Sequence, residues 1–222
     1  MPIGTIVLIV ISILIYLGFA QRILDRMRLS DRAALLFIVA MIVGSYLPDI
    51  PLTADLSINI GGGIIPIILV GYLLWKADTA AEKIRAGVAL LVTALAVYAA
   101  LKIFPVEPTY AILLDPLYLV AVIAGIIGYL AGRSRRSAFI AGVGAIVLND
   151  IFTRLELFIT GGRETLVIGG AGIFDATVIS GLVAVGLAEL VGEIRENLAA
   201  RNNLRGEDEE NEHYQRGPHE NE

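Results

Sequence analysis

Long apolar runs separated by short polar stretches dominate this chain. An α-helix needs roughly 20 apolar residues to cross the hydrocarbon core of a bilayer, and several runs reach or approach that length. The pattern predicts transmembrane helices over residues 4–21, 33–48, 61–75, 86–104, 110–131, 137–158 and 167–191.

Two connecting segments have patterns of their own. Residues 22–32 alternate arginine with Ile, Leu and Met, which indicates a short basic interfacial helix or a cytoplasmic extension of the first helix. A plain cytoplasmic loop is an equal alternative. Residues 49–60 contain Pro51, follow Pro48 and alternate with a period of two. That segment is therefore predicted to be non-helical, as an outside strand or hairpin or a re-entrant loop.

The positive charges indicate an orientation. Fourteen of the 17 lysines and arginines fall in connections that this helix count places on one side, and Lys102, Arg154 and Arg163 fall on the other. Positive residues stay on the cytoplasmic side of membrane proteins. We expect an all-α, polytopic bundle of about seven helices in the cell membrane, with the N-terminus outside and the C-terminus in the cytoplasm.

Composition narrows the chemistry. Hydrophobic residues make up 56% of the chain and charged residues 18%, so the lipid bilayer is the expected partner and no nucleic acid is expected. There are no cysteines, and both histidines, His213 and His219, lie near the C-terminus. We therefore expect neither a metal site nor a cofactor. The predicted division is a membrane domain over 1–195 and a disordered acidic cytoplasmic tail over 196–222.

Two stretches resemble each other and suggest an internal repeat. Leu47-Pro48-Asp49-Ile50 precedes an I-G-G-G run, and Leu148-Asn149-Asp150-Ile151 precedes an I-G-G-A-G run. The topology makes this a parallel repeat, which transporters use with sites at the repeat interface. The glycines could bind an anion at a helix start or serve close helix packing alone. They are Gly61, Gly62, Gly63, Gly169, Gly170 and Gly172.

Ionisable residues within a membrane are candidate functional groups. Asp175 is the strongest, because it falls about eight residues into the last predicted helix. Asp150 has Arg154 at i+4 as an ion-pair partner, so a structural salt bridge is an equal alternative. Asp115 and Asp49 lie near helix ends, where capping or solvation is the simpler interpretation.

The two glycine segments also resemble a known family. Residues 58–74 match an I-G-G-x-x-I-P pattern through Gly61, Gly62 and Pro66. Residues 166–182 match I-G-G-A-G-x-x-D through Gly169, Gly170, Gly172 and Asp175. Both are similar to segments of a family of uncharacterised prokaryotic membrane proteins, the domain of unknown function 1614. The resemblance implies a multi-helix membrane protein and no assigned activity.

Three functions fit these residues. The first is a small transporter or ion-coupled membrane protein with Asp175 as its coupling carboxylate. The second is a membrane-embedded aspartyl hydrolase that uses Asp150 and Asp175 as acid and base. In intramembrane aspartyl proteases the aspartate directly follows G-x-G, whereas here it is displaced by two residues. The third is a non-catalytic scaffold. The sequence leaves open whether the protein binds a small solute, an ion or a membrane peptide.

Overall fold

The computed structural model is mostly helical, with one small sheet. It describes residues 3–18, 21–103, 116–162, 164–170 and 173–215. The elements in chain order are α1 (Ile3–Tyr16), α2 (Gln21–Met27), α3 (Asp31–Ser45), β1 (Ile50–Thr53), β2 (Leu56–Ile58), α4 (Ile65–Trp75), α5 (Ala80–Ile103), α6 (Pro116–Gly132), α7 (Arg135–Thr160), β3 (Leu166–Ile168) and α8 (Ile173–Gln215).

Each predicted membrane helix corresponds to a helix in the fold, and α2 is the short basic helix that was one of three alternatives for residues 22–32. The first predicted helix is shorter than expected, because α1 ends at Tyr16 and Gly18 turns the chain at φ +81°. The fifth predicted helix, 110–131, corresponds to α6 from Pro116 onward. Asp115 lies outside the described residues.

Among the described residues, three helices are long and apolar enough to cross a membrane by length and composition. They are Ala80–Ile103, Arg135–Thr160 and Phe174–Ala199. The helices Ile3–Tyr16, Ile60–Trp75 and Val120–Gly132 are apolar but shorter. At about 1.5 Å per residue, a helix of 14 residues such as α1 measures roughly 21 Å and falls short of a hydrocarbon core of about 30 Å.

The segment between α3 and α4 forms a hairpin, which was one of the predicted alternatives. Strand β1 pairs antiparallel with β2, and Ile50 faces Ile58. Pro51 is tolerated because β1 is the edge strand of the sheet, where a missing N–H breaks no ladder.

The third strand corrects the prediction for the last helix. Residues 166–168 pair parallel with β2, Ser57 facing Val167, so α8 begins at Ile173 and not at residue 167. An apolar Leu-Val-Ile run has no periodicity that separates a strand from a buried helix. Its assignment depends on β2, which lies far away along the chain.

Helix α7 forms the centre of the fold. Its residues from Arg136 to Asp150 are almost continuously buried, and α4, α5 and α6 pack around it. Small residues allow the helices to approach closely: a Cβ atom at Gly128 of α6 would lie 2.9 Å from the backbone nitrogen of Gly142. The hydroxyl of Ser180 on α8 donates a hydrogen bond of 2.9 Å to the carbonyl oxygen of Gly142.

The chain divides into two compact units, Met1–Ala188 and Glu189–Glu222. The bounds of helix α8 are Ile173–Gln215, and the disordered tail over 196–222 stays a prediction. A polar, charged sequence predicts only that no apolar face is available for packing. The domain division at residue 195 therefore stays a prediction. The glycine-rich segments, Asp49, Asp150 and Asp175 lie within the first unit.

Candidate functional site

Asp175 lies in the first turn of α8 and is buried, with 5% of its surface exposed. Its Oδ2 accepts a hydrogen bond of 3.0 Å from the backbone N–H of Ile3, and its Oδ1 accepts one of 2.9 Å from that of Gly4. These are the first two residues of α1, whose N–H groups have no partner inside the helix. One carboxylate thus caps a neighbouring helix and complements the positive end of its dipole.

This position differs from the one predicted. The prediction placed Asp175 about eight residues into the last helix, on the outer half of the membrane. Because residues 166–168 are a strand, Asp175 is at the helix start instead. It is nonetheless buried within the bundle, as predicted for a carboxylate that avoids lipid.

Gly4 of α1 packs directly against the carboxylate of Asp175. A Cβ atom at this position would lie 2.6 Å from Oδ1 of Asp175 and 3.1 Å from its Cα. Any side chain at residue 4 would therefore push α1 away from the carboxylate. The contact between α1 and α8 depends on the absence of a side chain at that point.

Asp150 contacts the other glycine-rich segment. It is 5% exposed, and its Oδ2 accepts a hydrogen bond of 2.9 Å from the backbone N–H of Gly169. Gly169 has φ +69°, a conformation that favours glycine. Asp150 therefore holds the chain where β3 ends.

The ion pair with Arg154 was one of two alternatives for Asp150, and the structure gives Arg154 another partner. Arg154 instead pairs with Asp55, in the turn between β1 and β2, at 2.8 Å. The hydrogen bond from Arg154 lowers the pKa of the Asp55 carboxyl below its ordinary value of 3.8. Helical spacing permitted the i+4 pair, but the hairpin brings a more accessible carboxylate to the guanidinium.

Asp49 reaches the first glycine-rich segment through a side chain that sequence reasoning missed. Its Oδ1 accepts a hydrogen bond of 2.8 Å from the amide nitrogen of Asn59, and Asn59 Oδ1 accepts one of 2.9 Å from the N–H of Gly62. Asn59 thereby caps the π-helical turn Ile60–Ile64 that leads into α4. An asparagine directly before a helix start is the signal that could have identified it.

The glycine-rich segments contact one another and α3 through their backbones. A Cβ atom at Gly61 would clash with the carbonyl oxygen of Met41, and one at Gly62 with the carbonyl oxygen of Gly169. A Cβ at Gly63 would lie 2.9 Å from the carbonyl oxygen of Ile168. These contacts fit the packing alternative for the glycines. Gly170 lies at the end of the β3 connection, and Gly172 lies outside the described residues.

These elements enclose a cleft of about 470 Å³. The residues that line it are Ser45, Tyr46, Leu47, Pro48, Asp49, Asn59, Val167, Gly169, Gly170, Phe174 and Asp175. Asp49 and Asp175 therefore share one space, whereas Asp150 and Arg154 are not among its lining residues. No lining residue within the described part of the chain is basic.

The cleft offers hydrogen-bond acceptors more than donors. The second carboxylate oxygen of Asp49 has no hydrogen-bond partner among the described residues, and Asp49 is exposed. No three His, Cys, Asp or Glu residues cluster closely enough to hold a metal ion within the described ranges. The arrangement suits a small cationic or hydrogen-bond-donating solute.

A second polar cluster lies at the other end of α7, and its central residue was also missed. The guanidinium of Arg136 is only 3% exposed and donates to the carbonyl oxygens of Met27 (3.1 Å) and Lys76 (3.2 Å), at the ends of α2 and α4. It also pairs with Glu82 at 3.3 Å. A count of positive residues along the sequence does not separate buried arginines from exposed ones, so nothing in the sequence identifies Arg136 as buried.

A family model described as "Protein of unknown function (DUF1614)" matches residues 25–187 of the chain. No curated protein and no solved structure matches it. The matched range includes both glycine-rich segments together with Asp49, Asp150 and Asp175, and it begins after α1.

Proposed function

Because the chain belongs to this family of unknown function, we propose its activity from the site: a small transporter or ion-coupled membrane protein that binds a cationic or protonated solute between Asp49 and Asp175. The observation that supports this proposal is the shared cleft. Two carboxylates line one space of about 470 Å³ from which basic side chains are absent among the described lining residues. The negative charge of the two carboxylates favours a positively charged occupant of the cleft.

The proposed topology is seven membrane-spanning helices with the N-terminus outside and the C-terminus in the cytoplasm. The arginine and lysine distribution supports it. Lys102 and Arg154, two cations assigned to the outer side, are paired with Glu156 and Asp55 respectively. In this orientation the cleft lies at the outer end of α7. The Arg136 cluster lies at the cytoplasmic end, since 14 residues at ~1.5 Å each separate Arg136 from Asp150 by about 21 Å.

Asp175 connects the cleft to α1. Its two oxygens accept the N–H groups of Ile3 and Gly4, so a cation that binds Asp175 competes with the start of α1 for the same carboxylate. Binding in the cleft and the position of α1 are therefore energetically linked. An ion-coupled carrier requires such a link between its occupied site and a mobile element.

The test is flux through reconstituted vesicles with protons, sodium, potassium and methylammonium as probes. Asp49→Asn and Asp175→Asn should each lower transport or binding roughly ten- to a hundredfold, because a charge-assisted hydrogen bond contributes about 1.5–3 kcal/mol. Glu164→Gln is the matched control, since Glu164 is an exposed carboxylate in the connection after α7 that does not line the cleft. Equal flux in all four proteins, or no flux of any probe in wild type, would contradict the proposal.

One observation favours a different function, the non-catalytic scaffold. Asp175 and Asp150 are both buried and both accept backbone N–H groups, which is what a purely structural carboxylate does. In that case the flux assay shows no solute dependence while Asp175→Asn still loosens α1. The hydrolase alternative needs Asp150 and Asp175 to share one water, and Asp150 is not among the residues lining the cleft.

A further inference from the structure

A second cavity, distinct from the polar cleft, lies among α1, α2, α3, α4, α7 and α8. Its volume is about 250 Å³, and among its described lining residues only Thr177 carries a polar side chain. Phe37 and Phe139 contribute aromatic walls, and aliphatic side chains make up most of the rest.

The cavity is open to its surroundings, since Leu14 of α1 and Leu182 of α8, which line it, are 41% and 37% exposed. Apolar surface of this kind is stabilised when an apolar group covers it. Water gains nothing in an apolar space, whereas a cavity of about 150 Å³ already binds benzene. The larger cavity here therefore calls for an apolar occupant, and in a bilayer the most abundant apolar group is the acyl chain.

Helix α2 indicates which headgroup the lipid carries. Its apolar face, Leu24 and Met27, lines the cavity together with Leu29 of the next turn. The side chain of Arg26 is exposed, as is that of Arg32 at the start of α3, and the exposed Arg28 pairs with Asp78. A short helix with an apolar face inward and arginines outward is typical of the membrane interface, where it attracts anionic headgroups.

We propose that this cavity binds one acyl chain of an anionic phospholipid whose phosphate headgroup lies against the arginines of α2 and α3. The site is separate from the solute cleft and requires only that the protein is embedded in a bilayer. The lipid would complete the packing between α1–α3 and α7–α8.

Lipid retention tests the proposal directly. Purified protein is mixed with equal amounts of phosphatidylglycerol and phosphatidylcholine of the same chain length, and bound lipid is counted by native mass spectrometry. Wild type should retain one phosphatidylglycerol. Ala34→Phe fills the cavity and should lower retention at least tenfold. Ala40→Phe, on the same helix but away from the cavity, should retain the lipid as wild type does.

The headgroup is tested with charge variants. Arg26→Gln combined with Arg32→Gln should reduce the preference for phosphatidylglycerol roughly fivefold per arginine. Arg85→Gln, an exposed arginine at the start of α5, is the control and should not change the preference. Equal retention of both lipids by wild type would overturn the headgroup assignment.

Fluorescence quenching provides a measurement that does not depend on the filled variant. In a Trp75→Phe background, Phe139→Trp places the reporter in the cavity wall, and Phe158→Trp places it on the exposed surface of the same helix. Phosphatidylglycerol brominated on its acyl chain should quench both. Quenching at residue 158 but none at residue 139 would show that no chain enters the cavity, and so would unchanged lipid retention in Ala34→Phe.

Discussion

The carboxylate of Asp175 makes contacts that are unusual for a residue at a helix start. An acidic residue there ordinarily complements its own helix, yet here both oxygens accept N–H groups from α1. Capping interactions of this kind contribute about 1 kcal/mol each to stability. A small change in the side chain of Asp175, or one added atom at Gly4, should therefore shift α1.

Gly4→Ala tests that sensitivity. The added Cβ would lie 2.6 Å from Oδ1 of Asp175, so the variant should lose roughly 1–3 kcal/mol of stability through overpacking. In an Asp175→Ala background the same substitution should cost less, because the opposing oxygens are gone. Thermal unfolding in detergent measures both. Gly71→Ala, with open space around its Cβ, is the control. Additive effects of the two substitutions would contradict direct contact.

The pair of Asp55 and Arg154 predicts a pH dependence. Arg154 lowers the pKa of Asp55 in the folded protein, so the pair stabilises the fold above the unfolded-state value of about 3.8. That contribution is lost as the pH falls through the lower, folded-state pKa. Asp55→Asn should therefore lower the melting temperature at pH 7 and have little effect near pH 2. The double variant with Arg154→Gln should match either single variant, and a pH-independent difference would refute the pairing.

At the scale of the elements, the glycine-rich segment before α4 contacts the glycine-rich segment before α8. Gly62 and Gly169 are in backbone contact, and each segment is also held by an aspartate from its own half: Asp49 through Asn59, and Asp150 directly. Asp49 and Asp150 are matched positions in the predicted repeat, whereas the contacting glycines are not, since the repeat aligns Gly62 with Gly170. The internal repeat stays a prediction.

Gly169→Ala should disrupt this junction. A Cβ there would clash with the backbone of Gly62 and Gly63, and φ +69° is unfavourable for alanine. We expect a loss of several kcal/mol or a failure to accumulate in the membrane, read as expression and melting temperature. Gly87→Ala in α5 meets open space, so it should be neutral or stabilising by up to about 1 kcal/mol. Similar behaviour of the two variants would show that the close approach is not required.

At the scale of the whole molecule, polar contacts lie at the two ends of α7, and buried, mostly small side chains lie between them. The sheet, the cleft and Arg154 lie towards one end, and the buried guanidinium of Arg136 joins α2, α4 and α5 at the other. A core helix with both ends committed to polar contacts leaves its middle for packing of small side chains.

Reporter tags test the proposed orientation. A tag at the C-terminus should report from the cytoplasm and a tag at the N-terminus from outside, because positive residues concentrate on the cytoplasmic side. Alkaline phosphatase and fluorescent-protein fusions measure the two locations. A control with lysines added to the Asp55 turn should weaken the bias. An N-terminus inside would contradict either the orientation or the odd number of spans.

By itself, the sequence determined the helices and the family. Apolar runs and their polar boundaries depend on neighbouring residues, so all seven predicted helices have counterparts in the fold, and the family resemblance through the two glycine segments is confirmed. The hairpin over residues 49–60 was likewise among the predicted alternatives, because proline and a period of two are local signals.

Only the tertiary structure decided what the aspartates contact. The strand at residues 166–168 exists because β2 lies beside it, and this moves Asp175 from mid-helix to a helix start. Asp175 contacts Gly4, Asp150 contacts Gly169, and Arg154 contacts Asp55. Two of these three partners are backbone N–H groups, which every residue except proline carries, so no pattern of side chains can identify them. The third lies 99 positions away along the chain, and folding alone brings it close.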